Sequence, residues 1–431
     1  MEEEDIGYTI EEAIAEARRC LKCGKPMCRT GCPIENDIPS FNRALSLGNI
    51  GEAHEIIAQR SNLPAICGRV CPHEKQCEGH CILNNKGKPI RIGKIERFIA
   101  DFHAQMKLAH EKLPAKTRGK VAVIGSGPAG LTVAGDLARE GFNVVVYESE
   151  AEPGGILLYG IPDFRLPKDV VRREIKNIES LGVTFTTNTM VGKDVSIKQL
   201  LEEQGFDAVF IGTGTALARG LNLPGEDLKG VVQSNYLLHM VRLFNDGKVS
   251  RSEVPVDEGD DVIVIGAGNV AMDAARTAIR MKAKSVTVCY RKTIDDMKAS
   301  RAEYDGAIKD GVVFLWQHTP VSFEGEGGKL KGFKVSTPEG EKVIKADKVL
   351  LAVGSRPAAH IVAGTPDIAV NEAGYFITKE KPYGMTSMHG VFAGGDIVHQ
   401  PATVVLAMKE AKKVASGIAS YVDAKKLLEE C

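Results

Sequence analysis

Two long stretches of the chain carry the same order of apolar runs and glycines. VAVIGSGPAGLTVAGDLAREGFNVVVYE opens on a continuous apolar run, passes through closely spaced glycines, continues with helical periodicity and closes on a second apolar run. That order predicts strand, turn, helix and strand, the first half of a βαβ unit. DVIVIGAGNVAMDAARTAIRMKAKSVTVCY repeats it, and the two glycine turns start 141 residues apart, at Gly125 and Gly266. A period that long marks a duplicated domain rather than a solenoid. Ahead of both, residues 1 to about 108 read as helical with short loops. Thr9 followed by Glu12 is a capping-box signal for IEEAIAEARRCL, and GKIERFIADFHAQMKLAH reads as a charged helix. EKLPAKTRGK is polar, carries a proline and reads as a linker, VPVDEGD as a domain boundary, and PATVVLAMKEAKKVASGIASYVDAKKLLEE as a final helix.

A length of 431 residues fits two or three domains. With 55 basic against 56 acidic residues, neither nucleic acid nor an anionic membrane is expected as a main partner. No run approaches the roughly 20 apolar residues of a membrane helix. MEEEDIGYTIEEAI lacks the apolar segment of a signal peptide, so a cytoplasmic protein is expected. Eight of the ten cysteines lie between Cys20 and Cys81, with Cys289 and Cys431 outside. In a reducing compartment a cluster that dense points to metal.

The first cysteine run is Cys20, Cys23, Cys28 and Cys32, with Pro33 next; the second is Cys67, Cys71, Cys77 and Cys81, with Pro72 after Cys71. An iron–sulfur core needs thiolates from several directions. Three neighbours on a loop cannot surround it, so the fourth often comes from elsewhere. In two-cluster ferredoxins the cysteine before a proline serves the other cluster. Cys32-Pro33 and Cys71-Pro72 share that logic, although the spacing is not the ferredoxin one. Zinc is less favoured, because only Cys20 and Cys23 form a C-x2-C knuckle, and disulfides less still. Cys67 is a candidate buried free thiol.

Gly125, Ser126, Gly127, Pro128, Ala129 and Gly130 fit GxGxxG between a strand and a helix. The glycines let the backbone approach a pyrophosphate at a helix N-terminus. Glu148 ends the next strand, 23 residues after Gly125, where an acid accepts from ribose hydroxyls. GVFAGGD, with Gly394, Gly395 and Asp396, is a second marker of this site. In the other half Gly266, Gly268, Asn269, Val270 and Ala271 repeat the fingerprint with Ala in the third glycine position. The strand that should end in a ribose acid instead runs into Arg291 and Lys292. Cations suit a 2′-phosphate, so NADP is expected over NAD, tempered by Asp295 and Asp296. No CxxC or CxxxxC stands beside Gly154-Gly155, and Cys289 is alone in its domain, so a disulfide-reductase dithiol is lacking. Nicotinamide and flavin carry hydride chemistry themselves, and no catalytic acid or base is nominated.

Over nearly its whole length the chain resembles the small (beta) subunits of NADPH-dependent glutamate synthases. The matching segments are CPIENDIP, CGRVCPHEKQCEGHC, PIRIGKIERF, VAVIGSGPAGL, GGILLYGIPDFRLPK, VIVIGAGNVAMDAART and GVFAGGDIV. The same module resembles the N-terminal part of dihydropyrimidine dehydrogenase and the large subunit of NADH-dependent ferredoxin:NADP oxidoreductase.

The resemblance implies an α/β fold with two Rossmann-like dinucleotide-binding domains, one inserted in the other, after a helical iron–sulfur domain. Its ranges would be 1–118 for the helical domain, 119–240 with 360–431 for FAD, and 241–359 for NADPH. It implies one 4Fe–4S cluster on Cys20, Cys23, Cys28 and Cys81, and a second on Cys32, Cys71, Cys77 and Glu96. Without the resemblance, Glu96 reads as a solvated helix carboxylate. Gly155, Arg165, Asp396, Ala402, Thr403 and Val404 would touch FAD, as would Gly395 of the GVFAGGD segment. Arg291, Lys292 and Lys298 would hold the 2′-phosphate, and Ala352, Val353 and Gly354 would line the nicotinamide side. The function implied is an NADPH:acceptor oxidoreductase subunit passing electrons between NADPH, FAD and two 4Fe–4S clusters. The chain has no glutaminase domain and no FMN barrel, so a larger catalytic subunit, a second flavin/iron–sulfur subunit or ferredoxin would be its partner. The rivals are a subunit of an electron-bifurcating or ferredoxin-linked transhydrogenase and a non-catalytic assembly subunit.

Overall fold

The computed structural model describes residues 3–106, 114–358 and 360–429; Cys431 lies outside them. The chain forms two compact units, 1–158 with 163–216 and 356–431, and 159–162 with 217–355.

The first unit is built on a five-stranded parallel sheet, in the order Val391–Ala393, Ala208–Ile211, Gly119–Ile124, Phe142–Tyr147 and Thr184–Thr186. Its central strand buries Val121, Ala122, Val123 and Ile124, the continuous apolar run that a sheet covered on both faces requires. The helix Pro128–Arg139 follows the glycine turn, and the C-terminal helix Val404–Glu429 packs along it, with Lys412 Nζ 2.8 Å from Asp136.

The cysteine region is helical: Ile10–Arg18, Met27–Gly31, Ile38–Ser46, Ile50–Ala58, Pro64–Val70 and Ile92–Met106. Thr9 and Glu12 make the expected capping box. The core joins Ala13, Ala17, Ile38, Phe41, Leu45, Ile57, Ile95 and Ile99. This helical region packs as part of the first compact unit. Arg69 explains why: it is almost fully buried and pairs with Glu3 at 2.9 Å and Asp101 at 2.7 Å, while Asp101 also binds Arg173 of the helix Lys168–Ser180 at 2.5 Å. Asn62 adds hydrogen bonds to the Thr132 carbonyl and to Asp136 on the helix after the glycine turn.

The second unit holds another five-stranded parallel sheet, ordered Val231–Gln233, Lys348–Leu351, Asp261–Ile265, Ser285–Tyr290 and Val313–Trp316. A three-stranded antiparallel sheet, Thr319–Glu326, Lys329–Thr337 and Gly340–Lys345, is attached to it. This compact unit takes in the chain from Leu217 onward. Val231–Gln233 forms this sheet's edge beside Lys348–Leu351, and the helix Ser234–Asn245 packs on the helix Asn269–Arg280.

One half-buried histidine pair contributes to acid sensitivity. His54 stacks on His103, with ring centroids 3.5 Å apart and planes 4° from parallel. Burial, then His103 and Arg139, lower His54 from the usual 6.5 to about 4. The folded state thus binds fewer protons here than the unfolded chain, and stability falls as pH drops from 6.5 toward 4. The slope is at most about 1.4 kcal/mol per pH unit. His54→Gln is expected to flatten the acid limb of a melting-temperature profile between those values; an unchanged profile would rule out this contribution.

Candidate functional site: two thiol sets and two glycine loops

Cys20, Cys23, Cys28 and Cys81 line one cavity of about 410 Å³, with Ile38, Asn42 and Ile92 among its walls. The two runs therefore interlock, since Cys81 comes from the second. Burial, then Cys20, Cys81 and Cys23, push the Cys28 thiol up to about 11. Burial raises Cys20 as well, with Cys23 and Cys81 adding to it.

The other thiols form a second group. Burial drives Cys32 up to about 12, with Glu96 and Cys67 contributing. Cys77 is raised by burial, then by Cys32, Glu78 and Glu96. Cys71 is raised by a hydrogen bond with Cys67, then by burial, Cys67, Glu96 and Cys77. Glu96 is not solvated: it is 8% exposed on the helix Ile92–Met106. Burial, then Glu174, lifts its carboxyl to about 8, and its nearest hydrogen bond, from Asn36 Nδ2, is 3.5 Å long.

These groups suppress one another's ionisation, as anions crowded in a low-dielectric interior must. Binding them as thiolates needs a positively charged core between them, which a ferric–ferrous sulfide cluster supplies. Among the described residues no three His, Cys, Asp or Glu side chains converge on a single ion. The donor set fits clusters better than one zinc. Cys67 is buried, with Sγ 3.6 Å from Met408 Sδ, and the nine described cysteines are all free thiols.

In the first glycine loop the predicted residues lie together. Glu148 is buried and accepts from the Ser126 amide at 3.0 Å and from the Ser126 hydroxyl, while its other oxygen accepts from the Glu150 amide at 2.9 Å. Ser126 Oγ in turn accepts from the Gly154 amide at 2.8 Å. A Cβ on Gly130 would stand 1.9 Å from the Gly125 carbonyl oxygen, so only glycine lets helix and strand approach this closely. Gly155, at φ +50°, lies so near that its own Cβ would be 2.9 Å from Gly127 Cα, whereas Gly127 faces open space. Pro128 starts the helix and Ala129 touches Gly395, whose Cβ would be 2.8 Å away. Burial raises Asp396 to about 6, and its carboxyl accepts from the Ala402 amide. Thr403 Oγ1 accepts from the Leu406 amide at 3.4 Å, capping the helix that starts at Val404. Arg165 is half-buried on the loop before Lys168–Ser180.

The second loop is organised alike. Ala352 lies beside Gly266, whose Cβ would be 2.5 Å from the Ala352 carbonyl, and Val353 and Gly354 follow. Gly268 faces open space, Val270 is half-buried and Ala271 is fully buried. Asn269 Oδ1 accepts from the Ser300 amide at 3.0 Å, and the Lys298 amide donates to the Ala267 carbonyl at 3.1 Å. Lys298 is thereby held beside the fingerprint. Arg291 and Lys292 are exposed, with Lys292 3.5 Å from Asp296.

Residues 1–108 match the family model for dihydropyrimidine dehydrogenase domain II, 4Fe-4S cluster, and residues 119–411 match that for pyridine nucleotide-disulphide oxidoreductase. The glutamate synthase [NADPH] small chain of Halomonas elongata is 38% identical, over 96% of this chain and 92% of its own. The same-named chain of Escherichia coli K12 is 37% identical, over 96% and 93%. The chain belongs to the glutamate synthase small-chain family. The NAD-dependent dihydropyrimidine dehydrogenase subunit PreT of Escherichia coli O157:H7, 37% identical over 96% of both chains, is a further relative. The fold extends to FprA of Mycobacterium tuberculosis (TM-score 0.59, 20% identity, 73% of this chain and 86% of that one) and Lactococcus lactis thioredoxin reductase (0.54, 22%, 70% and 99%).

This member of the glutamate synthase small-chain family is a flavin and iron–sulfur oxidoreductase whose cofactors are FAD, NADPH and 4Fe–4S clusters. Among the described residues its nucleotide-binding part holds no thiol pair. Asn42 and Asn36 were not singled out from the sequence. Asn42 interrupts the apolar stripe Ile38, Phe41, Leu45, which is the signal that could have found it.

Proposed function

We propose that this chain is the electron-input subunit of a cytoplasmic, NADPH-dependent complex of the glutamate synthase kind, working with a larger catalytic subunit. What carries the reading is the inclusion of both thiol sets and the FAD-type loop in one compact unit. Bound FAD supplies the exchange between two-electron hydride chemistry and the single electrons that iron–sulfur clusters take.

The residues divide that work. Gly127 leaves room for a pyrophosphate, Gly155 packs closely against Gly127, and Glu148 is placed to accept from ribose hydroxyls. Asp396, Ala402 and Thr403 set the N-terminus of Val404–Glu429 toward the flavin, where its positive end favours added negative charge. Cys20, Cys23, Cys28 and Cys81 hold one cluster; Cys32, Cys71, Cys77 and Glu96 hold the other. Arg291, Lys292 and Lys298 receive the 2′-phosphate, and Ala352, Val353 and Gly354 border the nicotinamide. Anaerobic purification with absorption spectra, iron analysis and NADPH-driven dye reduction tests this. A colourless protein binding only zinc would end it, and co-purification with a large amidotransferase chain would support the partner.

The similarity to PreT favours a second reading, in which the partner is a pyrimidine-reducing subunit and the nucleotide is NAD. The phosphate contacts separate the two. Replacing Arg291 and Lys292 together by alanine is expected to raise the KM for NADPH by about tenfold to a hundredfold, as loss of charge-assisted hydrogen bonds does. The KM for NADH should not move. A parent protein that reduces dye equally well with NADH would overturn the NADP assignment.

A further inference from the structure

Around the Cys20, Cys23, Cys28 and Cys81 cavity, apolar side chains stand in solvent. Leu21, Met27 and Ile82 line that cavity and are 60%, 54% and 55% exposed. An exposed apolar ring at a pocket mouth marks an interaction site rather than scatter. The charge around it is one-sided. Residues 17–34 and 79–95 contain nine Lys and Arg (18, 19, 22, 25, 29, 86, 88, 91 and 94) and no Asp or Glu, in a chain of net charge −1. Arg19, Arg29, Arg91 and Lys94 reach acids elsewhere. Lys22, Lys25, Lys86 and Lys88 make no salt bridge among the described residues, and all four are exposed. Positive rims of this kind steer oppositely charged partners and set association rates.

Resting on the reading above, we propose that this ring is the electron-exit docking face, and that it fits an acidic protein surface carrying its own redox centre. Leu21, Met27 and Ile82 supply the apolar contact, and the four lysines align the acidic partner. One electron leaves the reduced cluster and enters the partner's oxidised centre, with no bond made or broken.

The test uses the full chain loaded with FAD and clusters. An acidic two-iron ferredoxin, basic cytochrome c and a small neutral dye are compared as acceptors of NADPH-derived electrons, and ferredoxin binding is measured directly by titration. Ferredoxin binding and reduction should weaken with salt. They should fall about tenfold when Lys25→Glu, Lys86→Glu and Lys88→Glu are combined, with cluster spectra and dye reduction unchanged. Equal or better reduction of cytochrome c, or a triple variant that binds ferredoxin like the parent, would overturn the proposal. So would self-association abolished by the same variants, since a second copy would then own this face. Failure of dye reduction would strike the NADPH reading instead and leave the binding titration to judge the docking face.

A second observation concerns the same cavity from inside. Asn42 is fully buried, lines it, and has neither amide atom hydrogen-bonded among the described residues. Burying such a side chain without a partner is unfavourable. We infer that its Nδ2–H donates to a sulfur of the cluster held there, which eases addition of an electron and raises that cluster's potential. Asn42 is then a tuning residue, not a ligand. Asn42→Leu, of similar size, should lower the midpoint potential of this cluster in a redox titration followed by electron paramagnetic resonance, leaving the other cluster's potential alone. Asn42→Asp, which keeps the shape and removes the amide donor, should lower it too. An unchanged potential in either variant with both clusters assembled would overturn the inference.

Discussion

Cys32→Ser is expected to erase the same cluster signal as Cys77→Ser, although the two cysteines lie in different runs. Cys81→Ser should in turn erase the signal that Cys20→Ser erases. Each variant should keep FAD, one intact cluster and half of the iron. Flavin-level dye reduction should persist, while electron delivery to a protein acceptor falls to near background, because the chain of single-electron centres is cut. The expectation rests on the shared cavity of Cys20, Cys23, Cys28 and Cys81 and on the separate coupling of Cys32, Cys77 and Glu96. Cluster-resolved electron paramagnetic resonance with iron analysis decides it. If Cys32→Ser instead removed the Cys20 signal, each run would hold its own cluster and the interlocked assignment would be wrong. Glu96→Ala belongs to the same set and should affect only the Cys32 cluster.

The second large effect falls on the flavin fold. Gly130→Ala would place a methyl carbon 1.9 Å from the Gly125 carbonyl oxygen, a backbone atom that no rotamer can move. The helix Pro128–Arg139 would have to lift from the strand Gly119–Ile124, spoiling the loop that Ser126 and Glu148 tie together. A destabilisation of about 3 kcal/mol or more, with loss of flavin absorbance, is expected. The corresponding position of the other unit is Ala271, so Ala271→Gly there should leave nucleotide binding in place. Thermal unfolding with flavin release measures both, and a Gly130→Ala protein that purifies yellow with an unchanged melting temperature would refute the close-approach argument.

What could be seen in the sequence follows from how local each signal is. The glycine loops were legible because turn, strand and helix lie within about thirty residues, and the capping box at Thr9 because the four residues Thr9–Glu12 suffice. The edge strand of the second sheet was not. Val231–Gln233 is a half-buried three-residue strand without alternation, and its partner Lys348–Leu351 is more than a hundred residues away. The fusion of the helical layer with the first sheet was hidden for a related reason. Glu3, Arg69, Asp101 and Arg173 look like ordinary solvated charges until the fold brings them together. Glu96 is the sharpest case. A glutamate in a charged helix reads as surface, and only the family resemblance nominated it. The burial comes from packing that no periodicity records.

The helix Val404–Glu429, which braces Pro128–Arg139, also has a meaning for synthesis. It and the edge strand Val391–Ala393 are both made after the whole second unit. Residues 217–355 are nearly the whole second unit in one contiguous stretch, so that unit can close while the nascent chain is still growing. The first unit is complete only once these two elements have been made, and until then Cys67 lacks its contact with Met408. Cluster loading is therefore tied to synthesis of the segment after residue 390, and a truncated chain ending before residue 391 should emerge with a folded nucleotide-binding unit and no stably held iron.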